Sequence, residues 1–103
     1  MKKPQTQKPK RKREDQRSND PFLVALGQVL AEERIRVGFS QEDAARATGF
    51  QRPYISRIEL GASMSVINLS KLALGLGVHL SELVKKAEQR KQENEKKFEM
   101  VRR

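Results

Sequence analysis

Residues 40–61, SQEDAARATGFQRPYISRIELG, decide the fold of this chain. Ser40 is a good N-cap for a short helix, and the acidic residues that follow it suit the positive end of the helix dipole. Gly49 fits the left-handed backbone position that ends such a helix. A second helix follows, in which Ile55 and Ile58 lie on one face. The stretch therefore predicts two short helices joined by a tight turn.

These two helices have the layout of a helix-turn-helix, whose second helix can enter the major groove of DNA. Because Ile55 and Ile58 take the inner face of that helix, Arg52, Tyr54 and Arg57 are free to point elsewhere. An arginine can donate two hydrogen bonds to the O6 and N7 atoms of guanine. The motif therefore favours DNA binding.

The same residues resemble the Cro and phage-repressor family of helix-turn-helix proteins, also called the XRE-type family. The matching pieces are SQ at 40–41, AA at 44–45, G at 49, YISRIE at 54–59, G at 61, L at 69, KLA at 71–73, LGV at 76–78 and LSEL at 80–83, with LG at 26–27 and RIRVGFS at 34–40 upstream. The resemblance covers about residues 22–84. It implies an all-α, compact five-helix bundle like the lambda-repressor DNA-binding domain.

The resemblance also implies roles for single residues. Gln41 is expected to bond a DNA phosphate and brace the second motif helix, at a helix N-terminus that already favours an anion. Arg52 is favoured as a base contact, whereas Arg57 is open to either a base or a phosphate. Arg34 and Glu59 stand where the family has an ion pair that orients helices more than it stabilises them. The predicted DNA-binding residues are Gln41, Gln51, Arg52, Pro53, Tyr54 and Arg57.

The other helices follow from caps and apolar spacing. Asp20 caps a first helix that Gly38 ends, Ser65 caps a fourth that Gly77 ends, and a fifth begins near residues 79–81. No sustained period-two alternation predicts a strand. The positions predicted to face the core are Phe22, Leu26, Val29, Leu30, Val66, Leu69, Leu72, Ala73, Leu76, Leu80, Leu83 and Val84.

Positive charge is concentrated at the two ends of this 103-residue chain of net charge +9. Residues 1–19 carry eight Lys/Arg against two acids, net +6; residues 20–84 carry six against seven, net −1; residues 85–103 carry eight against four, net +4. We predict a disordered basic arm, a DNA-binding domain and a charged helical tail over these three ranges. The arm is either a solvated tail or a phosphate-binding segment, and the tail either frays or forms a dimer seam.

Enzyme function is not expected. The chain has no cysteine, no Gly-rich phosphate loop and no HExxH motif, so no cofactor or metal site is predicted. His79 is better explained as a cap or surface residue than as a metal ligand. The acids at Glu32, Glu33, Glu42 and Asp43 are expected on exposed helix faces or caps.

The sequence therefore predicts a sequence-specific DNA-binding transcriptional regulator, such as a repressor, that reads the major groove with the helix at about residues 52–60. A homodimer is expected, since two-fold symmetry spaces two recognition helices about 34 Å apart; helix 5 and the tail are its expected surface. The alternatives are an antitoxin or bridging adaptor that binds a protein partner, and a protein that binds structured RNA. No 18-residue apolar run or signal-peptide core is visible, which predicts a cytoplasmic protein. The family resemblance implies a bacterial or phage origin and an association with the nucleoid.

Overall fold

The computed structural model describes residues 20–102, with side chains for residues 20–100. The predicted basic arm at 1–19 lies outside the described residues. Five helices follow in order: α1 Pro21–Arg36, α2 Gln41–Thr48, α3 Arg52–Glu59, α4 Val66–Leu76 and α5 Leu80–Arg102. The described part of the chain contains no strand. The prediction of an all-α five-helix fold is confirmed.

Local capping interactions set the helix boundaries. The Asp20 carboxylate accepts hydrogen bonds from two backbone N–H groups in the first turn of α1, at 2.9 and 3.0 Å. Ser40 and Asp43 form a reciprocal capping box at the start of α2, with both bonds between 2.9 and 3.0 Å. Gly49 ends α2 with φ 81°, a left-handed conformation in which a Cβ would be strained. These contacts fix the turn between α2 and α3.

All five helices contribute side chains to one core. Its members are Leu26, Val29, Leu30, Ala44, Ala45, Ile55, Ile58, Leu69, Leu72, Ala73, Leu76, Leu83 and Ala87. Phe22, Leu80 and Val84 are partly buried against it. The prediction for Val66 was wrong, because this side chain is 71% exposed. Val66 is the first residue of α4. With a rotation of 100° per residue, its side chain lies about 70° around the helix axis from the centre of the buried stripe.

Helix α1 crosses the end of α3 at Gly27. A Cβ at Gly27 would lie 2.6 Å from the carbonyl oxygen of Ile58 and 2.7 Å from that of Glu59. Only the absence of a side chain allows this approach, since backbone atoms cannot move aside independently. Gly27 therefore sets how closely α1 lies to α3.

Helix α5 continues past the predicted domain boundary and packs antiparallel against α1. Ala87 is fully buried. Arg90 bonds Glu32 at 2.7 Å, and the Asn94 amide donates to the Gln28 side-chain oxygen at 3.0 Å. The first half of the charged tail is thus part of the packed structure, while the three-segment division of the chain stays a prediction.

Glu33 corrects the expectation that the acids of α1 are exposed. It is only 5% exposed, with Lys86 Nζ and Arg36 Nη2 each 2.8 Å from its carboxylate. The hydrogen bond from Lys86 is the main influence that lowers the pKa of Glu33, against the opposing effect of burial. The expectation was wrong because Lys86 is 53 residues away in sequence, so the pattern of α1 could not reveal what covers Glu33.

Candidate nucleic-acid interface

Helix α3 is fixed to its support by Arg34 and Glu59, which lie together as the resemblance implied. The guanidinium binds the carboxylate through two bonds, Nε to Oε2 at 2.6 Å and Nη2 to Oε1 at 3.1 Å. Arg34 also donates to the backbone oxygen of Phe39 at 2.9 Å. The two side chains are 14% and 9% exposed, so this bidentate pair is largely shielded from water. It holds the C-terminal end of α3 against α1.

Gln41 connects that ion pair to the leading end of α3. Its amide nitrogen donates to Glu59 at 3.0 Å, and its amide oxygen accepts from Arg52 Nη1 at 3.2 Å. Glu42 lies 3.9 Å from Arg52 Nε, with both side chains more than half exposed. Such a solvent-exposed pair contributes little energy, so Arg52 can leave it for a stronger partner. Glu42 is a neighbour of Arg52 that the sequence analysis did not assign.

The N-terminal end of α3 faces solvent. Gln51, Arg52 and Pro53 are all exposed. Gln51 occupies the N-cap position but makes no side-chain cap hydrogen bond, and Pro53 lies in the first turn. Free N–H groups at a helix N-terminus are suitable donors for an anion. On the opposite face, Ile55 and Ile58 are 2% and 1% exposed.

An aromatic cluster lies further along α3. The rings of Phe50 and Tyr54 are 4.9 Å apart between centroids and inclined by 58°. The Arg57 guanidinium lies 5.9 Å from the centroid of the Tyr54 ring, within the range of a cation–π interaction. The Asn68 amide nitrogen, from α4, donates to the Tyr54 hydroxyl at 2.9 Å. These four residues line part of an open cleft of about 440 Å³ beside α3.

Asn68 is a residue of this surface that the sequence analysis missed. It lies 14 residues from Tyr54 in the chain, and only the packing of α4 against α3 brings the two side chains together. The sequence signal was confined to a polar residue in the first turn of a predicted helix, which has many ordinary explanations. The predicted site residues therefore form two clusters: one around Gln41 and Arg52, the other around Tyr54 and Arg57.

Within residues 20–100, no group of three or more His, Cys, Asp or Glu side chains is arranged to hold a metal ion. His79 is exposed immediately before α5. None of the described helices is long and apolar enough to cross a membrane.

The sequence profile of the helix-turn-helix family matches residues 30–83, just over half of the chain. The chain belongs to the XRE-type helix-turn-helix family. The match spans the second half of α1 to the start of α5, including both motif helices and the residues that brace them. The resemblance read from the sequence is confirmed.

Two solved structures are similar to this chain. One is the restriction-modification controller protein C.AhdI from Aeromonas hydrophila, which is 40% identical with a TM-score of 0.58 over 59% of this chain and 94% of that chain. The other is the clp gene regulator ClgR from C. glutamicum, which is 25% identical with a TM-score of 0.63 over 66% of this chain and 90% of that chain. No protein with curated function matches the chain significantly.

Proposed function

We propose that the protein is a sequence-specific DNA-binding transcriptional regulator that reads the major groove with α3. The observation that carries this proposal is the division of α3 into two faces. Ile55 and Ile58 are buried in the core, whereas Arg52 and Arg57 are exposed on a helix that is firmly braced. Base readout requires exposed donors on a rigid support. Family membership, and the likeness to a restriction-modification controller and a gene regulator, support it further.

The predicted residues take different roles in this proposal. Arg52, at the leading end of α3, contacts a base, and Pro53 beside it supplies shape or apolar contact because it has no N–H to donate. Gln51 and Gln41 approach the phosphate backbone near the N-termini of α3 and α2. When DNA binds, Gln41 keeps its bond to Glu59 at the end of α3. The phosphate that Gln41 contacts is therefore held at a fixed distance from the recognition helix.

We further propose a homodimer, because one eight-residue helix reads only a few base pairs and a two-fold site doubles the number read. Leu83 and Ala87 of helix α5 are 0% exposed in the monomer's own core, so the large exposed apolar side chains of α5 are Phe98 and Met100, near its C-terminal end. Helix α4 exposes Ile67 by 68% and Leu74 by 83%. These two residues are seven apart and lie on one stripe, so a second copy of α4 is the proposed partner surface.

Selection of binding sites from a random DNA pool tests the function. We expect enrichment of a two-fold symmetric site, with half-sites about 34 Å apart, and weaker, steeply salt-dependent binding to random duplexes. A pool that shows no enrichment, with equal affinity for all duplexes, would reject specific readout and favour the antitoxin or adaptor alternative.

Sedimentation across a concentration series tests the dimer. Leu74→Glu should shift the monomer–dimer equilibrium toward the monomer, because it puts a charge into the apolar contact. Gln92→Glu is the matched control, since it adds the same charge at an exposed position of α5. If both variants dimerise as the wild type does, α4 is not the dimer surface.

A further inference from the structure

The two arginines of α3 are held in different ways. Arg52 has two polar neighbours, Gln41 at 3.2 Å and Glu42 at 3.9 Å. Among the described residues, no carboxylate forms an ion pair with Arg57; the contact that the structure gives this guanidinium is the face of the Tyr54 ring. A ring contact is directional, because the attraction requires the cation to lie over the face. The direction of Arg57 therefore depends on where the Tyr54 ring lies.

The Tyr54 ring is itself positioned from outside α3. Phe50 packs against it from the turn before the helix, and Asn68 holds its hydroxyl from α4. The backbone of Asn68 is fixed in turn, because its N–H donates to the Ser65 hydroxyl at 3.0 Å in the N-cap of α4. A side chain on α4 thus sets the position of a ring on α3, and that ring orients an arginine.

We propose that Asn68 is a positioning residue for base readout, which acts through Tyr54 on Arg57; this inference rests on the proposed function. With the ring fixed, the Arg57 guanidinium presents its donors to one base pair of each half-site. Without the bond from Asn68, the ring and the arginine sample several directions, and Arg57 becomes a general phosphate contact.

The test compares the affinity of each variant for the selected operator, for operators with one base pair changed at a time, and for random DNA. Arg57→Ala should abolish discrimination at one base-pair position per half-site. Asn68→Ala and Tyr54→Phe should each reduce discrimination at that same position by about three- to tenfold, the effect of one hydrogen bond. Affinity for random DNA should stay unchanged for both variants, because neither removes a charge.

A double variant separates positioning from two independent contacts. Asn68→Ala combined with Tyr54→Phe should lose no more discrimination than either change alone, since both remove the same hydrogen bond. Gln92→Ala is the matched control, because it removes an amide at an exposed position of α5, and it should retain the wild-type profile. Melting temperatures check that each variant is folded; Asn68→Ala keeps the backbone N–H on which the Ser65 cap depends.

Three results would overturn the inference: an unchanged profile for Asn68→Ala, equal losses on every sequence for either Asn68→Ala or Arg57→Ala, or strictly additive losses in the double variant. These results are distinguishable from failure of the proposed function. If the proposed function is wrong, the wild-type protein itself selects no site. If only the role of Asn68 is wrong, the wild type still selects one.

Discussion

Replacing Gly27 by alanine should both destabilise the fold and displace α3, the helix proposed to read DNA. The new Cβ would lie 2.6 and 2.7 Å from two backbone carbonyl oxygens of α3, which is roughly 0.7 to 0.8 Å short of ordinary contact at 3.4 Å. Overpacking of this kind costs about 1–3 kcal/mol, and backbone neighbours put it near the upper end. The higher helix propensity of alanine relative to glycine offsets about 1 kcal/mol of this cost. The expected net loss is about 2 kcal/mol, or about 10 °C in melting temperature for a domain of this size.

Gly75→Ala is the matched control for this prediction. Gly75 also lies inside a helix, but its Cβ would first meet the Thr48 methyl group at 2.6 Å, with the nearest backbone atom at 3.3 Å. A side-chain methyl group can shift more easily than two backbone carbonyl groups, but the Thr48 hydroxyl donates to the Ala44 carbonyl oxygen at 2.7 Å and restricts that shift. The gain in helix propensity should therefore offset part of the cost. We expect Gly75→Ala to remain within about 1 kcal/mol of the wild type by urea denaturation.

DNA binding provides the second measurement for Gly27→Ala. Because α1 and α3 must separate, the Arg34–Glu59 contact at 2.6 Å should weaken, and operator affinity should fall in solutions where the variant is still folded. A Gly27→Ala protein as stable as Gly75→Ala, with unchanged operator affinity, would refute the argument that close backbone approach positions α3.

Three further predictions concern charged groups. Arg34→Ala and Glu59→Ala should each destabilise the fold, because a shielded charge without its partner carries most of the cost. The double variant should therefore lose less free energy of unfolding than the sum of the two single losses. Strict additivity in a four-protein denaturation cycle would show that the bidentate pair is not coupled. Arg52→Ala should stay folded and lose about 1–3 kcal/mol of operator binding with relaxed preference at one base position; equal losses on random DNA would make it a phosphate contact. The pKa of Glu33 is lowered in the folded state, chiefly by Lys86, so its contribution to stability is present at neutral pH and is lost as pH falls below the usual value of 4.5 through the folded-state pKa. Lys86→Met should flatten that acid-induced fall in the free energy of unfolding, and identical pH profiles for variant and wild type would contradict it.

The helix-turn-helix was predictable from sequence because the interactions that define it are local. The Ser40–Asp43 capping box joins residues three apart, and Gly49 can adopt its left-handed conformation without strain whatever surrounds it. The spacing of Ile55 and Ile58 identified the buried face of α3, and with it the exposed face that carries the arginines. Such signals depend on neighbours within one helical turn, so the amino-acid order is sufficient to read them.

The tertiary structure alone decided which polar side chains meet across helices. Glu33 is buried because Lys86 and α5 cover it, and Asn68 reaches Tyr54 because α4 packs beside α3. The exposure of Val66 likewise follows from where the core ends. These outcomes depend on the distances and angles between helices, which arise from the packing of the whole core. The sequence by itself determined that α3 exists and which residues it exposes, and the packing determined how those residues are held.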